Sequence, residues 1–115
     1  MQSLQLPERL LLEALARADP TFAGMKAERL EVDGQVLEYV YLGDLAHHVA
    51  LMRDAPDASE TLDRIFAALE DALDGDEHVT NLICVGFLEM LKATGALEQV
   101  RGRFGPKLGF WADTV

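Results

Sequence analysis

The sequence predicts a single all-α domain that spans residues 1–115 and folds as a helical bundle. Apolar residues recur at helical spacing in several segments. Prolines and glycines fall between those segments, where they favour turns. Half of the 115 residues are apolar, which is enough to bury a core without a disulfide or a structural metal. No linker or low-complexity tract divides the chain, so we expect one domain.

Two helices are predicted on either side of Asp19-Pro20. Pro7 suits the first turn of a helix, where its missing N–H is not needed. The apolar face of this helix is formed by Leu10, Leu11, Ala14, Leu15 and Ala18. The opposite face carries Glu8, Arg9, Glu13 and Arg17. The helix ends at Asp19 because the residue before a proline avoids the α region. A second, weaker helix should run from Thr21 to about Leu30.

Residues 31–41 allow two interpretations. Asp33-Gly34 suits a two-residue type I′ turn, and the residues from Val36 to Tyr41 alternate as in a strand, so a small hairpin is possible here. Alternatively, Asp33-Gly34 is a loop and the next helix starts early. Gly43-Asp44 also resembles a helix entry, with Asp44 as the N-cap. That helix should end at Ala55-Pro56.

An antiparallel helix pair resembling one HEAT unit is predicted at about residues 58–74 and 77–93. The first helix should open with a capping box from Asp57 to Glu60, with Ser59 as a competing cap. Its apolar face is formed by Leu62, Ile65, Phe66, Leu69 and Leu73. Gly75 suits a left-handed residue after the helix, and Asp76 suits the N-cap of the next one.

The second helix of the pair is apolar on nearly every side from Val79 to Leu91, so it should lie at the centre with neighbours around it. Gly86 weakens a helix by about 1 kcal/mol relative to alanine, and close approach of another helix would compensate. A short helix near residues 96–100, a glycine-rich bend and a last segment with Phe110 and Trp111 complete the chain.

Negative charge is concentrated in one part of the sequence. The chain has a net charge of −10, and residues 54–78 contain nine carboxylates and a single base, Arg64. Such a chain repels nucleic acid and anionic lipid and attracts cationic surfaces. No apolar run is long enough to span a membrane. We therefore expect a basic protein partner, with no binding to nucleic acid or membrane.

A docking surface for this partner is predicted from charge and aromatic content. The proposed contact residues are Asp63, Glu70, Asp71, Asp74, Asp76 and Glu77, with Tyr39, Tyr41 or Trp111 as an aromatic anchor. Charges at such a rim select partners and raise association rates, whereas aromatic anchors supply more of the binding energy. The alternative is an acidic face that only keeps the protein in solution.

The chemistry of an enzyme is not visible in the sequence. The single cysteine, Cys84, lies in an apolar run and is predicted to be buried and inert. His47 and His48 point about 100° apart on a helix, and no His-x-x-x-His or paired cysteines occur, so neither a metal nor a cofactor is expected. Glu89 could pair with Lys92 at i+3. We predict that the protein is not an enzyme.

Residues 75–89, Gly-Asp-Glu-His-Val-Thr-Asn-Leu-Ile-Cys-Val-Gly-Phe-Leu-Glu, resemble the central signature of a family of small acidic bacterial helical proteins without assigned chemistry. The segment from Tyr41 to Ala46 and the segment from Gly105 to Leu108 are also similar. Some members resemble immunity proteins encoded beside polymorphic toxins. Thr80 departs from the pattern, in which a basic residue often precedes the asparagine. The resemblance implies an all-α fold and a neutralising role.

The function predicted from these features is that of a bacterial immunity protein that binds and neutralises a cognate toxin domain through an acidic surface, in the cytoplasm. The alternative is a helical adaptor or a homo-oligomeric assembly module that recognises a peptide or protein partner. Light scattering separates the two, because a stable homo-oligomer with the acidic face buried favours the alternative.

Overall fold

The computed structural model describes residues 6–24, 31–32, 35–36 and 38–115, and it confirms the predicted all-α single domain. These residues form seven helices: α1 (Leu6–Ala18), α2 (residues 20–24), α3 (Glu38–Met52), α4 (Ser59–Ala72), α5 (Glu77–Thr94), α6 (Leu97–Val100) and α7 (Pro106–Thr114). Two short strands, β1 (Glu31–Val32) and β2 (Gln35–Val36), pair antiparallel with Glu31 opposite Val36. The radius of gyration is 13.2 Å, close to the roughly 13 Å typical of a single domain of this length.

Both interpretations of residues 31–41 are partly correct. A two-residue ladder is present, although its predicted turn at Asp33-Gly34 lies outside the described residues. The next helix starts early, at Glu38, so the predicted N-cap Asp44 is wrong because that residue lies inside α3. The early start is explained by burial, since one face of α3 is apolar from its first turns: Tyr41, Leu42, Leu45, Ala46 and Val49 are all buried. The predicted second helix is present as α2, and its expected end near Leu30 lies outside the described residues.

The buried face of α1 differs from the predicted one. Leu11, Leu12, Leu15 and Ala18 are buried, whereas Leu10 is more than half exposed. Glu8, predicted on the polar face, is only 4% exposed. Its carboxylate lies 3.3 Å from Nε2 of His78, at the start of α5. The buried face is shifted because α1 packs against both α4 and the first turn of α5, so that Leu12 and Glu8 are covered and Leu10 is not.

Helix α5 is the core of the domain, as predicted. Leu82, Ile83, Phe87 and Leu88 have no exposed surface. Its main neighbour is α3, and α6 and α7 pack on it as well. The predicted close approach at Gly86 is confirmed, because a Cβ added there would lie 3.1 Å from Cβ of Leu42 on α3. The middle of α5, Leu82–Leu88, is π-helical, a local widening that is often found at functional sites.

Helix α4 begins without the predicted capping box. A 3₁₀ turn, Pro56–Ala58, leads directly into the helix, and its N-cap residue Ala58 makes no side-chain hydrogen bond. The 3₁₀ turn is continuous with the first turn of α4, as is common at the N-termini of α-helices. Helix α4 packs chiefly on α1 and also contacts α7, while α5 packs chiefly on α3. The two helices of the predicted pair are therefore both present, but each packs mainly on a different helix and not on the other member of the pair.

Among the described residues, no individual helix combines the length and apolar content needed to cross a membrane. Glu77–Thr94 and Leu97–Arg103 meet that test only when taken together, and they are bent by 106° with respect to each other. Most of the apolar surface of Glu77–Thr94 is buried within the domain. Burial of this kind is usual for the core helix of a globular protein.

Candidate functional site

A tight turn connects α4 to α5 and fixes the position of several carboxylates. Gly75 has a positive φ of 112°, which an L-residue with a side chain rarely adopts. Asp76 is the N-cap of α5, as predicted, and its Oδ1 accepts a hydrogen bond of 2.9 Å from the N–H of Val79. The hydroxyl of Thr80 donates to the carbonyl of Asp76 at 2.8 Å. Both the side chain and the backbone carbonyl of Asp76 therefore accept hydrogen bonds that stabilise the turn.

Three carboxylates around this turn point into solvent. Asp71, Asp74 and Glu77 are exposed, and within the described part of the chain none of them makes a hydrogen bond or an ion pair. We call these three residues the acidic turn. Because no basic side chain among the described residues forms an ion pair with them, their negative charge is available to an approaching molecule.

The other predicted contact carboxylates have partners within the fold. Oδ1 of Asp63 accepts from Nη1 of Arg103 at 2.8 Å. Glu70 accepts from the backbone N–H of Lys107 at 3.0 Å and of Leu108 at 2.8 Å, so it caps α7 from α4. Asp76 caps α5. Three of the six predicted carboxylates therefore stabilise helix positions, and the acidic turn contains the other three.

The predicted aromatic anchors occupy different environments. Tyr41 is only 6% exposed and packs edge-to-face on Phe22, so in this structure it does not lie at the surface. Burial raises the pKa of Tyr41, and the negative charge of Asp19 raises it further. Tyr39 is half-buried, and its hydroxyl accepts a hydrogen bond of 2.8 Å from Nδ2 of Asn81. Trp111 is also half-buried and lines a groove.

This groove lies between α5 and α7 and has a volume of about 660 Å³. We call it the Trp111 groove. Its apolar wall combines Trp111, Leu73, Cys84 and Val85, and its polar rim contains Glu77 and Glu89. The full lining is Leu73, Gly75, Glu77, Thr80, Asn81, Cys84, Val85, Glu89, Trp111, Thr114 and Val115. Glu77 belongs to both the groove and the acidic turn, so the two features are continuous.

Another, smaller groove of about 370 Å³ lies on the other side of Val85, between α3 and α5. Its apolar residues include Val40 and Met90, which are 44% and 39% exposed. Val85 itself is 44% exposed and is shared by both grooves. The prediction that α5 has neighbours all round is therefore wrong along this strip. Sequence could not locate the strip, because an all-apolar helix carries no signal for which of its sides stays uncovered.

Cys84 lines the Trp111 groove and is half-buried, so it is less enclosed than predicted. Burial raises the pKa of its thiol above the usual value of 9.0, and the negative charge of Glu89 adds to the rise. Glu89 does not form the predicted pair with Lys92, whose Nζ instead donates to the carbonyl of Val115 at 3.0 Å. In the described residues Glu89 has no ion-pair partner, so its charge faces the groove.

Two histidines contact buried carboxylates. His48 Nε2 lies 2.9 Å from Oδ2 of Asp19, and its ring stacks on Phe22 at 4.6 Å, which joins α3 to the junction of α1 and α2. His78 contacts Glu8, whose second oxygen is buried and has no hydrogen-bond partner among the described residues. Across the described ranges, no three or more His, Cys, Asp or Glu side chains come together in a way that could hold a metal ion.

The fold and these surfaces define a small all-α domain with an acidic turn beside an apolar groove. The chain belongs to the family described as "Domain of unknown function (DUF7674)", which matches residues 12–113. The matched range includes the acidic turn, Val85 and Trp111. Comparison with curated proteins found no match, and comparison with solved structures found none either.

Proposed function

We propose that this protein is a bacterial immunity protein that binds a cognate toxin domain in the cytoplasm and neutralises it through an acidic surface. The observation on which the proposal rests is the acidic turn, where Asp71, Asp74 and Glu77 are exposed and have no ion-pair partner among the described residues. They lie around a turn whose backbone is set by Gly75 and Asp76. Because the backbone around these carboxylates is already ordered, docking of a cationic partner costs mainly the ordering of their side chains.

Electrostatics favour a basic partner of this kind. A toxin domain that acts on nucleic acid or nucleotides must attract phosphates, so its active site is commonly cationic. An acidic protein that covers such a site blocks substrate access without making or breaking a covalent bond. Charge complementarity also speeds encounter and selects against other partners. Residues 75–89 resemble the signature of a family without assigned chemistry, some members of which resemble immunity proteins encoded beside toxins, and this resemblance is consistent with the same role.

The test is binding to, and protection against, the protein encoded by the neighbouring gene. The informative variant carries Asp71→Asn, Asp74→Asn and Glu77→Gln together. We expect this variant to associate with the partner more slowly and with a weaker dependence on salt, because long-range attraction acts mainly on the association rate. It should also protect cells less well than the wild type when the partner is co-expressed.

A charge-matched control comes from the other end of α4. Asp54→Asn, Asp57→Asn and Glu60→Gln, just before α4 and in its first turn, remove the same formal charge, and the 14 residues of α4 place them about 20 Å from the acidic turn. Asp54 and Glu60 pair with Arg53 and Arg64, so part of the charge removed here is already neutralised within the fold. This control should retain the wild-type association rate more closely. If the two triple variants slow association equally, net charge alone matters and the acidic turn is not the contact. If the neighbouring protein does not bind the wild type, the proposed function fails.

A second candidate function is a helical adaptor that recognises a peptide or a copy of itself. The uncovered apolar strip around Val85 and Met90 favours it, since exposed apolar surface on a core helix is a common feature of interaction sites. Light scattering of the isolated protein tests the self-association branch. A concentration-dependent oligomer that disperses when Val85 is made polar would support this candidate.

A further inference from the structure

We propose that the Trp111 groove docks an amphipathic helix of the partner protein, with apolar side chains at the middle of that helix and lysine or arginine near its two ends. This inference rests on the proposed function in taking the partner to be a basic protein. Most of the binding energy would then come from the groove between α5 and α7, and less of it from the acidic turn.

The residues that line the groove suit a helix-binding surface. Its floor is the π-helical part of α5, where Cys84 and Val85 face outward while Leu82, Ile83 and Phe87 face the core. Trp111 on α7 forms one wall. Across Val85 the apolar surface continues toward Val40 and Met90. An extended apolar strip on a rigid helix accommodates the apolar face of another helix, as in helix-in-groove recognition.

Charge on the rim specifies the occupant. Glu77 and Glu89 both line the groove, and among the described residues that form it there is no lysine or arginine. The two carboxylates are separated by 12 positions on α5, on the order of 18 Å along the helix axis. A helix with cationic side chains near its ends and apolar side chains between them would meet both carboxylates and the strip at once.

A second copy of this chain is a poorer occupant on the same grounds. Each copy carries a net charge of −10, so self-association would bring like charges together around the groove. The rim carboxylates would also lose their hydration without gaining a cation. A neutral apolar ligand would fill the strip but would leave Glu77 and Glu89 without any part in binding.

The probe is a synthetic amidated peptide of about 18 residues, long enough to form a helix on binding, with leucine and alanine on one face and lysines near both ends. The peptide has no tryptophan, so Trp111, the single tryptophan of the chain, reports binding by its fluorescence. Two matched peptides replace the lysines with glutamine or with glutamate. We expect saturable binding of the lysine peptide, much weaker binding of the glutamine peptide and none of the glutamate peptide.

The diagnostic variants are Val85→Gln, Glu89→Gln and Glu89→Lys. Val85→Gln should raise the dissociation constant of the lysine peptide by about tenfold or more, because it places a polar group at the centre of the apolar contact. Glu89→Gln should raise it by about two- to fivefold, and Glu89→Lys by more, with a smaller salt dependence. Glu89 is exposed and unpaired in the described region, so its variants remain informative even if Val85→Gln perturbs folding.

The controls are Leu51→Gln and Asp57→Asn, which change an exposed apolar residue and an exposed carboxylate outside the described lining of both grooves. They should bind the lysine peptide as the wild type does. Equal weakening by Asp57→Asn and Glu89→Gln would overturn the inference, because it would mean that only net charge acts. So would equal binding of the lysine and glutamine peptides, or a homodimer that Val85→Gln disperses.

The same variants separate this inference from the proposed function. If the neighbouring gene product binds Val85→Gln and Glu89→Lys as tightly as the wild type, but not the acidic-turn triple variant, the groove is not the docking site and the proposed function stands. If that protein does not bind the wild type while the lysine peptide does, the proposed function fails and the groove remains a helix-binding site.

Discussion

Glu70 on α4 caps α7 across a sequence separation of 38 residues, since its Oε1 accepts a hydrogen bond of 2.8 Å from the backbone N–H of Leu108. The other oxygen accepts from the N–H of Lys107 at 3.0 Å. Helix α7 begins at Gly105-Pro106 and its own N-cap makes no side-chain hydrogen bond. A side chain from another helix therefore satisfies the N-terminal donors of α7 and places Trp111 beside α5.

Removing this cap should destabilise the fold. Glu70→Ala leaves two N–H groups at the start of α7 without their acceptor, so we expect the free energy of unfolding to fall by about 1–2 kcal/mol. Urea denaturation measures it. Asp71→Ala, the next residue along α4, is exposed and unpaired among the described residues and should change stability by no more than about 0.5 kcal/mol. Equal effects of the two would contradict the capping role.

Gly105 and Glu70 should behave as one unit. A Cβ at residue 105 would lie 2.6 Å from Cδ of Glu70, so Gly105→Ala must displace the capping carboxylate. The expected loss is about 1–2 kcal/mol, the worth of the cap. In the double variant with Glu70→Ala the two effects should not add, because the cap can be lost only once. Gly109→Ala, with no atom within 4 Å of the added Cβ, should instead stabilise α7 by up to about 1 kcal/mol.

The contact of α3 with α5 should be sensitive to a single methyl group. At Gly86 an added Cβ would lie 3.1 Å from Cβ of Leu42, a fully buried atom close to the backbone. We expect overpacking to exceed the helix-propensity gain of alanine and to lower the melting temperature, with a net loss of about 1–2 kcal/mol. In Gly43→Ala, on the facing helix, the added Cβ would lie 3.8 Å from the carbonyl oxygen of Gly86 and from Cε of Met90, which is ordinary contact. This variant should be neutral or stabilising. Equal effects would mean that the helices can separate freely at this point.

Stability at alkaline pH should depend on Tyr41. Burial, and then the charge of Asp19, raise the pKa of Tyr41 above 10.0, so the folded state favours the neutral phenol. Its contribution is fully present below the unfolded pKa and is lost as pH rises through the folded pKa. The stability of the wild type relative to Tyr41→Phe should therefore fall at pH values above about 10. Urea titrations at several pH values measure this difference, and a constant difference would contradict it.

Cys84 should react slowly with iodoacetamide at neutral pH, because burial and the charge of Glu89 raise the pKa of its thiol and the thiolate is the reactive form. Glu89→Gln removes one of these causes and should accelerate alkylation by about two- to fivefold, the range that a screened surface charge supplies. Asp57→Asn removes an equal charge elsewhere and should leave the rate unchanged. Mass spectrometry of the intact protein follows the reaction.

The features of the fold that the sequence predicted correctly are those that depend on local interactions. The end of α1 before Asp19-Pro20, the left-handed Gly75 and the Asp76 cap all depend on residues within a few positions of each other. Helical spacing similarly predicted the apolar face of α4 and the central place of α5. Such features are set by backbone sterics and side-chain periodicity, which a single sequence contains.

Tertiary contacts decided the surface. Charge spacing on α4 could not distinguish Glu70, which caps a distant helix, from its neighbour Asp71, which has no partner in the described part of the chain. The apolar run in α5 could not indicate that Val85 is exposed. The sequence of α1 likewise could not indicate that Glu8, a charged residue, is buried. These outcomes depend on which helices meet, and that is determined by packing between residues far apart in the chain. The sequence by itself determined the helices and the concentration of negative charge, whereas the packing of α3, α5 and α7 decided where that charge adjoins an apolar groove.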